Sequence, residues 1–487
     1  MKIEASATLV DPRSSARERI ALVACSLLFL AAIAAYAGLL SGGHWQDEYY
    51  TLYRMRDEGL QFVLYRIQTW SPRPLSELLV YLYGFAVVKS GRPLIGTVLG
   101  MTWAVTALCI VVLPARYARP RNRAISAVAG LALFALFLAN HPTGEMYYWP
   151  QASLAYMPTL AAICALFWLC VTTGLESSRA RMAAAAMLIV AAWSVEIAAM
   201  FVFAVAGLAL AVSLCLPRLR LNWREAIWLA LPLVASAGVL VLLAHGRVQN
   251  GNEIMGDPAI AHHTKPVLVA AIREFAKAVA VSGWDGRGPL NIALVIASKV
   301  LLFVAFVGLS TRLSPLHAHR SASRWLTILS AACLATTLLI IAAAFYQFGT
   351  MCCERHDTLR QCLIYIAIVS AACAVGLNLR HVPRITLSLG MLFIAVGINV
   401  AMSIKALRYD YAHLDVFRDV KVANWNQGNA QGTTMVFEQA APGQVVGGVL
   451  IGEKTYTAQD SDMGWWIDGV MRFFRKKEIT FKTVHTD

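Results

Sequence analysis

About eleven apolar runs, most of them near the ~20 residues that a helix needs to cross a bilayer, dominate this chain of 487 residues. They fall at 20–40, 93–114, 124–139, 156–173, 183–199, 201–216, 226–245, 290–309, 325–345, 361–378 and 384–404. Inside hydrocarbon every backbone N–H and C=O must bond internally, so each run is expected to be a helix. Composition points the same way. The chain is 58% hydrophobic and 14% charged, against about half and a quarter in soluble domains. These values exclude a water-soluble enzyme, a disordered chain, a collagen and a secreted disulfide scaffold.

The net charge of +14 is carried mostly by Arg in short loops between the runs. That is the topogenic pattern of a membrane protein and not a nucleic-acid footprint, so no nucleic-acid partner is expected. The stretch 183–216 would be about 50 Å long as one helix, too long for one span. Its one carboxylate, Glu196, lies near the middle, and a tight hairpin is expected at about 196–201. With that hairpin, Arg116, Arg119, Arg121 and Arg123, then Arg179 and Arg181, Arg218, Arg220 and Arg224, Arg312, Arg320 and Arg324, and Arg380 and Arg384 all share one side. By the positive-inside rule this is the cytoplasmic side, together with residues 1–19. The segments 41–92, 140–155, 246–289 and 346–360 and the tail 405–487 then face outward. Within them, 76–88 reads as a helix lying on the membrane and 265–282 as an amphipathic interfacial helix. The tail reads as a polar helix to about 422 followed by β-like runs at 433–439 and 445–451. The expected fold is an all-α polytopic membrane protein of about 11 transmembrane helices, with a small α+β extracytoplasmic C-terminal domain. The ten Cys are scattered, and Cys352-Cys353 read as ordinary thiols near a helix end.

Chemistry is expected on the outer face, because the other loops are short and almost purely Arg. The sharpest feature is His44-Trp45-Gln46-Asp47-Glu48-Tyr49-Tyr50, just past the first run. A carboxylate against an apolar wall can serve as a general base; the same pair also suits a plain helix start. Arg73, between Pro72 and Pro74, presents its guanidinium from a stiff backbone, either to a phosphate or carboxylate or to lipid headgroups. His141, Glu145, Tyr148 and Trp149 cluster in the next outer loop, where aromatic faces and carboxylates suit sugar binding and also form an ordinary interfacial belt. Glu196 and Lys299 lie within apolar runs, where a charge needs a partner or a cavity. Arg355 and His356 precede the tenth run and suit a lipid phosphate or headgroup contacts. His262-His263 and Asp410 with His413 each lack a third metal ligand at informative spacing.

The layout resembles the C-type (GT-C) superfamily of polyprenyl-phosphate-sugar-dependent membrane glycosyltransferases. The resemblance rests on a first span followed by Asp47-Glu48 and Tyr49-Tyr50, on Arg73-Pro74-Leu75, and on the interfacial helix before the second span. Glu145 with Tyr148-Trp149, Ser194-Val195-Glu196, Glu354-Arg355, and the tail from Gly464-Trp465-Trp466 through Phe473-Phe474 and Ile479 look most like the bacterial lipopolysaccharide glucosyltransferase-like branch. The aminoarabinose transferase and the protein O-mannosyltransferases are more distantly similar. The resemblance implies a catalytic part at 20–404 in a bacterial inner membrane, with the N-terminus cytoplasmic and the C-terminus and active site periplasmic. It implies an inverting transfer from a polyprenyl-phosphate-linked sugar to a hydroxyl of an envelope glycan, glycolipid or protein. Asp47 is then the general base, with Glu48 as second candidate. Arg355, Arg73, His356 and Lys299 are the donor-phosphate group. His44, His141, Glu145, Tyr148, Trp149 and Glu196 are the sugar and acceptor group. Arg73-Pro74-Leu75 replaces the Lys-Pro-Pro-Leu type segment of the aminoarabinose transferase, so a divalent metal stays open and no metal ligand is assigned. The competing reading is a multi-pass transporter or flippase of lipid-linked glycans, which should carry polar groups at mid-membrane.

Overall fold

The computed structural model describes residues 12–45, 48–140, 142–215, 227–250, 256–281, 288–351, 353–460 and 463–484. Its helices run in chain order as α1 (Pro12–Ala37), α2 (Glu48–Glu58), α3 (Leu60–Tyr65), α4 (Pro74–Ser90), α5 (Ile95–Ala107), α6 (Leu113–Tyr117), α7 (Arg123–Ala139), α8 (Gly144–Tyr148), α9 (Pro150–Thr173) and α10 (Ser178–Ser194). They continue as α11 (Glu196–Cys215), α12 (Ala230–Asn250), α13 (Thr264–Ala280), α14 (Pro289–Leu313), α15 (His319–Phe348), α16 (Glu354–Gly376), α17 (Ile385–Ala412), α18 (Leu414–Asn429) and α19 (Trp465–Phe474).

Each of the eleven expected runs overlaps a helical segment among the described residues. Among the described residues, nine helices are long and apolar enough to cross a membrane. The other two segments, α7 and α10, are helices of 17 residues each. Burial separates their roles. In α9, 94% of the apolar window is buried inside the protein, against 22% for the first apolar helix; α9 is the central post and that helix is peripheral. A five-residue π-helical stretch, Leu108–Val112, joins α5 to α6. Gly130 of α7 packs directly on its backbone at Ile110 and Val111, where any Cβ would collide. A small residue here lets two helices approach at backbone distance.

The expected hairpin near Glu196 is a one-residue break. α10 ends at Ser194, Val195 is extended (φ −153°, ψ 140°), and α11 begins at Glu196. The two helices pack on each other and on α12. The run 76–88 lies within α4 and the amphipathic segment 265–282 overlaps α13. One expectation about thiols is corrected: Cys353 is disulfide-bonded.

The tail differs from expectation in two places. The polar helix continues to Asn429 as α18, and only one of the two expected strands forms. β1 (Thr434–Gln439) pairs in parallel with β3 (Glu478–Thr483), and β3 pairs antiparallel with β2 (Thr455–Thr457), giving the order β1-β3-β2. The expected strand at 445–451 is a loop. Asp410, fully buried at the end of α17, accepts the N–H groups of Gln444, Val445 and Val446 at 2.7, 2.8 and 2.7 Å. Amides turned toward one carboxylate cannot alternate along a ladder. Gly447 and Gly448, at φ +75° and +130°, supply the reversal that this needs.

This contact holds the small domain to the helical part, so Asp410→Ala should loosen it. Hydrogen bonds to a charged group are worth about 1.5–3 kcal/mol each. Limited proteolysis should then cut at 440–450 at least ten-fold faster than in the wild type, with Asp410→Asn between the two. Equal cleavage rates would show that the loop is held by other contacts.

Candidate functional site

The segments expected to face outward meet at one end of the bundle. His44 N–H donates to Tyr148 O at 3.0 Å, Thr358 Oγ1 donates to Pro142 O at 2.6 Å, and Thr143 Oγ1 donates to Val445 O at 2.8 Å. These bonds bring the segments 41–92, 140–155 and 346–360 and the C-terminal domain onto the N-terminal end of α9.

Two guanidinium–carboxylate pairs stand there. Arg73 sits just before α4, held outside helical geometry (φ −118°, ψ 69°) by the flanking prolines. Its Nε lies 2.8 Å from Oε2 of Glu196, the first residue of α11. Arg355, on the first turn of α16, donates from its guanidinium to Glu145 Oε2 at 2.9 Å and from its backbone N–H to the same oxygen at 3.2 Å. The Arg355 guanidinium also lies 5.3 Å from the Trp149 ring centroid, within cation–π range. Tyr156, on the second turn of α9, joins the pairs. Its hydroxyl is buried without a hydrogen-bond partner of its own among the described residues and lies within electrostatic range of Arg355, Arg73 and Glu196. The His356 ring packs 5.9 Å from the Tyr156 ring. Side-chain exposures of 17% and 14% for the first pair and 24% and 15% for the second leave both within reach of solvent. A pair that is neither dry nor fully hydrated can trade its carboxylate for an arriving phosphate at small net cost.

Glu48 serves a different purpose. It is 1% exposed. Its Oε1 accepts the Gln151 N–H at 3.1 Å, capping the start of α9, and its Oε2 accepts the Tyr83 hydroxyl at 3.4 Å. Burial and the adjacent Glu48 charge push the Tyr83 phenol well above its ordinary range, so it stays a proton donor. Thr51 Oγ1 accepts from Gln151 Nε2 at 2.6 Å and from Arg66 at 3.1 Å, and Arg66 pairs with the buried Glu77 at 2.9 Å. This network locks α2, α4 and α9 together. Asp47 and His141 lie outside the described residues.

The other expected site residues are placed apart from the two pairs. Tyr148 is fully buried and donates to Tyr36 O at 2.9 Å, a core position. His44 faces the C-terminal domain. Burial and the nearby Lys421 ammonium hold its imidazole neutral, with the pKa pulled down to about 3. Lys421 donates to the carbonyls of Ser41 and Gly43, and burial pulls its pKa down to about 7. Lys299 donates to Val279 O at 2.6 Å and Ala280 O at 3.2 Å, so it caps the C-terminus of α13. His262 packs its ring edge-on against Tyr346 at 5.2 Å, and Asp410 is engaged by the three amides described above.

Of the expected residues, then, Arg73, Glu196, Arg355, Glu145, Trp149 and His356 come together. Tyr156, Gln151, Arg66 and Glu77 belong to the same end of the bundle without having been expected. So does Arg360, 5% exposed in its side chain and paired with Asp357 at 2.9 Å and Glu274 at 3.5 Å. No family model matches the chain, and no curated protein or solved structure matches it.

Proposed function

We propose that this protein is a polyprenyl-phosphate-sugar-dependent membrane glycosyltransferase of the GT-C type. It acts on the outer face of a bacterial inner membrane and transfers the sugar to a hydroxyl of an envelope glycan, glycolipid or protein. The observation that carries the reading is the gathering of Arg73–Glu196 and Arg355–Glu145 around the buried Tyr156 hydroxyl, at the end of the bundle where Glu48 meets the start of α9. A phosphodiester donor carries one negative charge and leaves as a phosphate monoester with two. Two largely buried guanidiniums within reach of solvent suit that change, since preorganised cations act where charge develops.

In this reading Asp47 takes the proton of the acceptor hydroxyl as its oxygen attacks the anomeric carbon. The bond from that carbon to the phosphate oxygen breaks, polyprenyl phosphate leaves, and the configuration inverts. Arg73 and Arg355 hold the phosphate, and Glu145 and Glu196 keep the two guanidiniums oriented while the site is empty. Trp149 and His356 line the approach. The flippase alternative draws on Lys299 and Glu196 as mid-membrane polar groups; Lys299 bonds two helix-end carbonyls and Glu196 pairs with Arg73.

The test is mass spectrometry of envelope glycolipids, polysaccharides and glycoproteins from cells with and without the chain. Loss of one sugar increment from one of these classes is expected on deletion. Identical profiles in all three would overturn the transferase reading.

A further inference from the structure

The opposite end of the bundle holds a cavity that the transferase reading does not use. α9 has 24 residues, so its C-terminus lies about 35 Å from the site at its start. Three turns meet there: 117–122 and 312–317, which carry Arg, and 172–177, which carries Glu176. They are bolted to one another, Asn122 Nδ2 donating to Arg312 O at 2.7 Å and Ser321 Oγ donating to Gly174 O at 2.6 Å. Despite these bonds the turns enclose a cavity of about 350 Å³. That is at the small end of the ~300–1,000 Å³ typical of ligand sites.

The lining is of mixed polarity, and two of its buried polar atoms have no hydrogen-bond partner among the described residues. Arg119 and Arg312 both line it, and among the described residues neither guanidinium has a carboxylate within ion-pair distance. Ser314, 4% exposed, lines the same space, and its buried Oγ has no hydrogen-bond partner. The Oδ1 of Asn122 is likewise buried without a partner. A buried hydroxyl or amide left unsatisfied costs free energy unless something else pairs with it. Here the missing partners differ in kind. Two guanidiniums and a hydroxyl call for an acceptor with negative charge. Asn122 Oδ1, with the Glu176 carboxylate on the same lining, calls for a donor.

We propose that this cavity binds a phosphate ester whose alcohol part carries a hydrogen-bond donor. The phosphate sits between Arg119, Arg312 and Ser314, and the amine or hydroxyl of the ester reaches Asn122 and Glu176. Phosphoethanolamine and phosphoglycerol have this chemistry, either as headgroups of membrane lipids or as free small esters. The cavity opens among the ends of three spans, where a headgroup would stand.

The test uses the full chain, delipidated in detergent. One arm adds phosphatidylethanolamine or phosphatidylglycerol, with phosphatidylcholine as the control that lacks the donor, and reads retention by native mass spectrometry. The second arm adds free phosphoethanolamine or glycerol 3-phosphate and reads saturable stabilisation against heat. Retention of the first two lipids at least ten-fold above phosphatidylcholine supports the site and assigns it to headgroups. Saturable stabilisation by the free esters supports the site and assigns it to soluble ligands. In either case Arg119→Ala with Arg312→Ala should weaken binding at least ten-fold. Should that variant fail to accumulate, Arg312→Lys carries the same comparison, because it keeps the charge and loses the planar fork. Equal retention of all three lipids with no effect of the free esters would overturn the proposal. So would binding that either variant leaves unchanged.

Discussion

Asp47→Asn is expected to lower sugar transfer by about 10²–10⁴-fold, the range that a positioned general base supplies, while the protein accumulates and melts as the wild type does. The substitution removes a charge and almost no volume. The contacts that fix the neighbouring chain belong to Glu48, whose two oxygens take the Gln151 amide and the Tyr83 hydroxyl, and these do not depend on residue 47. Glu48→Gln should behave in the opposite way. It removes the charge that complements the start of α9 and turns one acceptor oxygen into a donor opposite an N–H or a hydroxyl. A loss of about 1–3 kcal/mol is expected, read as a lower melting temperature, with a rate loss smaller than that of Asp47→Asn. The pair of variants distinguishes the two carboxylates. If Glu48→Gln abolished transfer at an unchanged melting temperature and Asp47→Asn kept activity within three-fold, Glu48 would be the base.

What could be read from the residues alone follows from how local each constraint is. A span must hold about 20 apolar residues whatever its neighbours do, so the helical runs were visible. The break beside Glu196 was visible because a carboxylate inside 34 otherwise uncharged residues is costly. Arg73 was conspicuous for its flanking prolines, Glu145 for its place among aromatic residues, and Arg355 for its position just before an apolar run. Their pairing was not, since Glu145 and Arg355 are 210 positions apart and only the packing of α8, α9 and α16 brings them together. Tyr156 gave no local signal. A tyrosine in the first turns of a span is ordinary, and its importance lies in what stands around it. The strand expected at 445–451 failed through a long-range effect of the same kind. The β-branched and apolar residues Val445, Val446, Val449, Leu450 and Ile451 suggest β structure until Asp410, from the end of α17, gathers three consecutive amides.

Arg355→Ala is expected to lower transfer by about 10²–10³-fold, the usual cost of removing one preorganised donor from a developing oxyanion. It should also destabilise the protein, because Glu145 would keep only the Arg355 backbone N–H, and a half-buried carboxylate would lose its counter-charge. Activity and stability loss would then be confounded in the single variant. Glu145→Gln together with Arg355→Ala separates them. Removing the stranded carboxylate should recover most of the melting temperature, and transfer should stay low because the phosphate still lacks its guanidinium. Arg355→Lys should recover part of the rate, since it returns a charge but not the fork or the contact with Trp149. The double variant is the decisive measurement. If it regained transfer along with stability, Arg355 would be only the counter-ion of Glu145, and the phosphate would have to be held by Arg73 alone. If transfer stayed low at a restored melting temperature, the Arg355–Glu145 pair would be a holding arrangement, broken when the donor arrives.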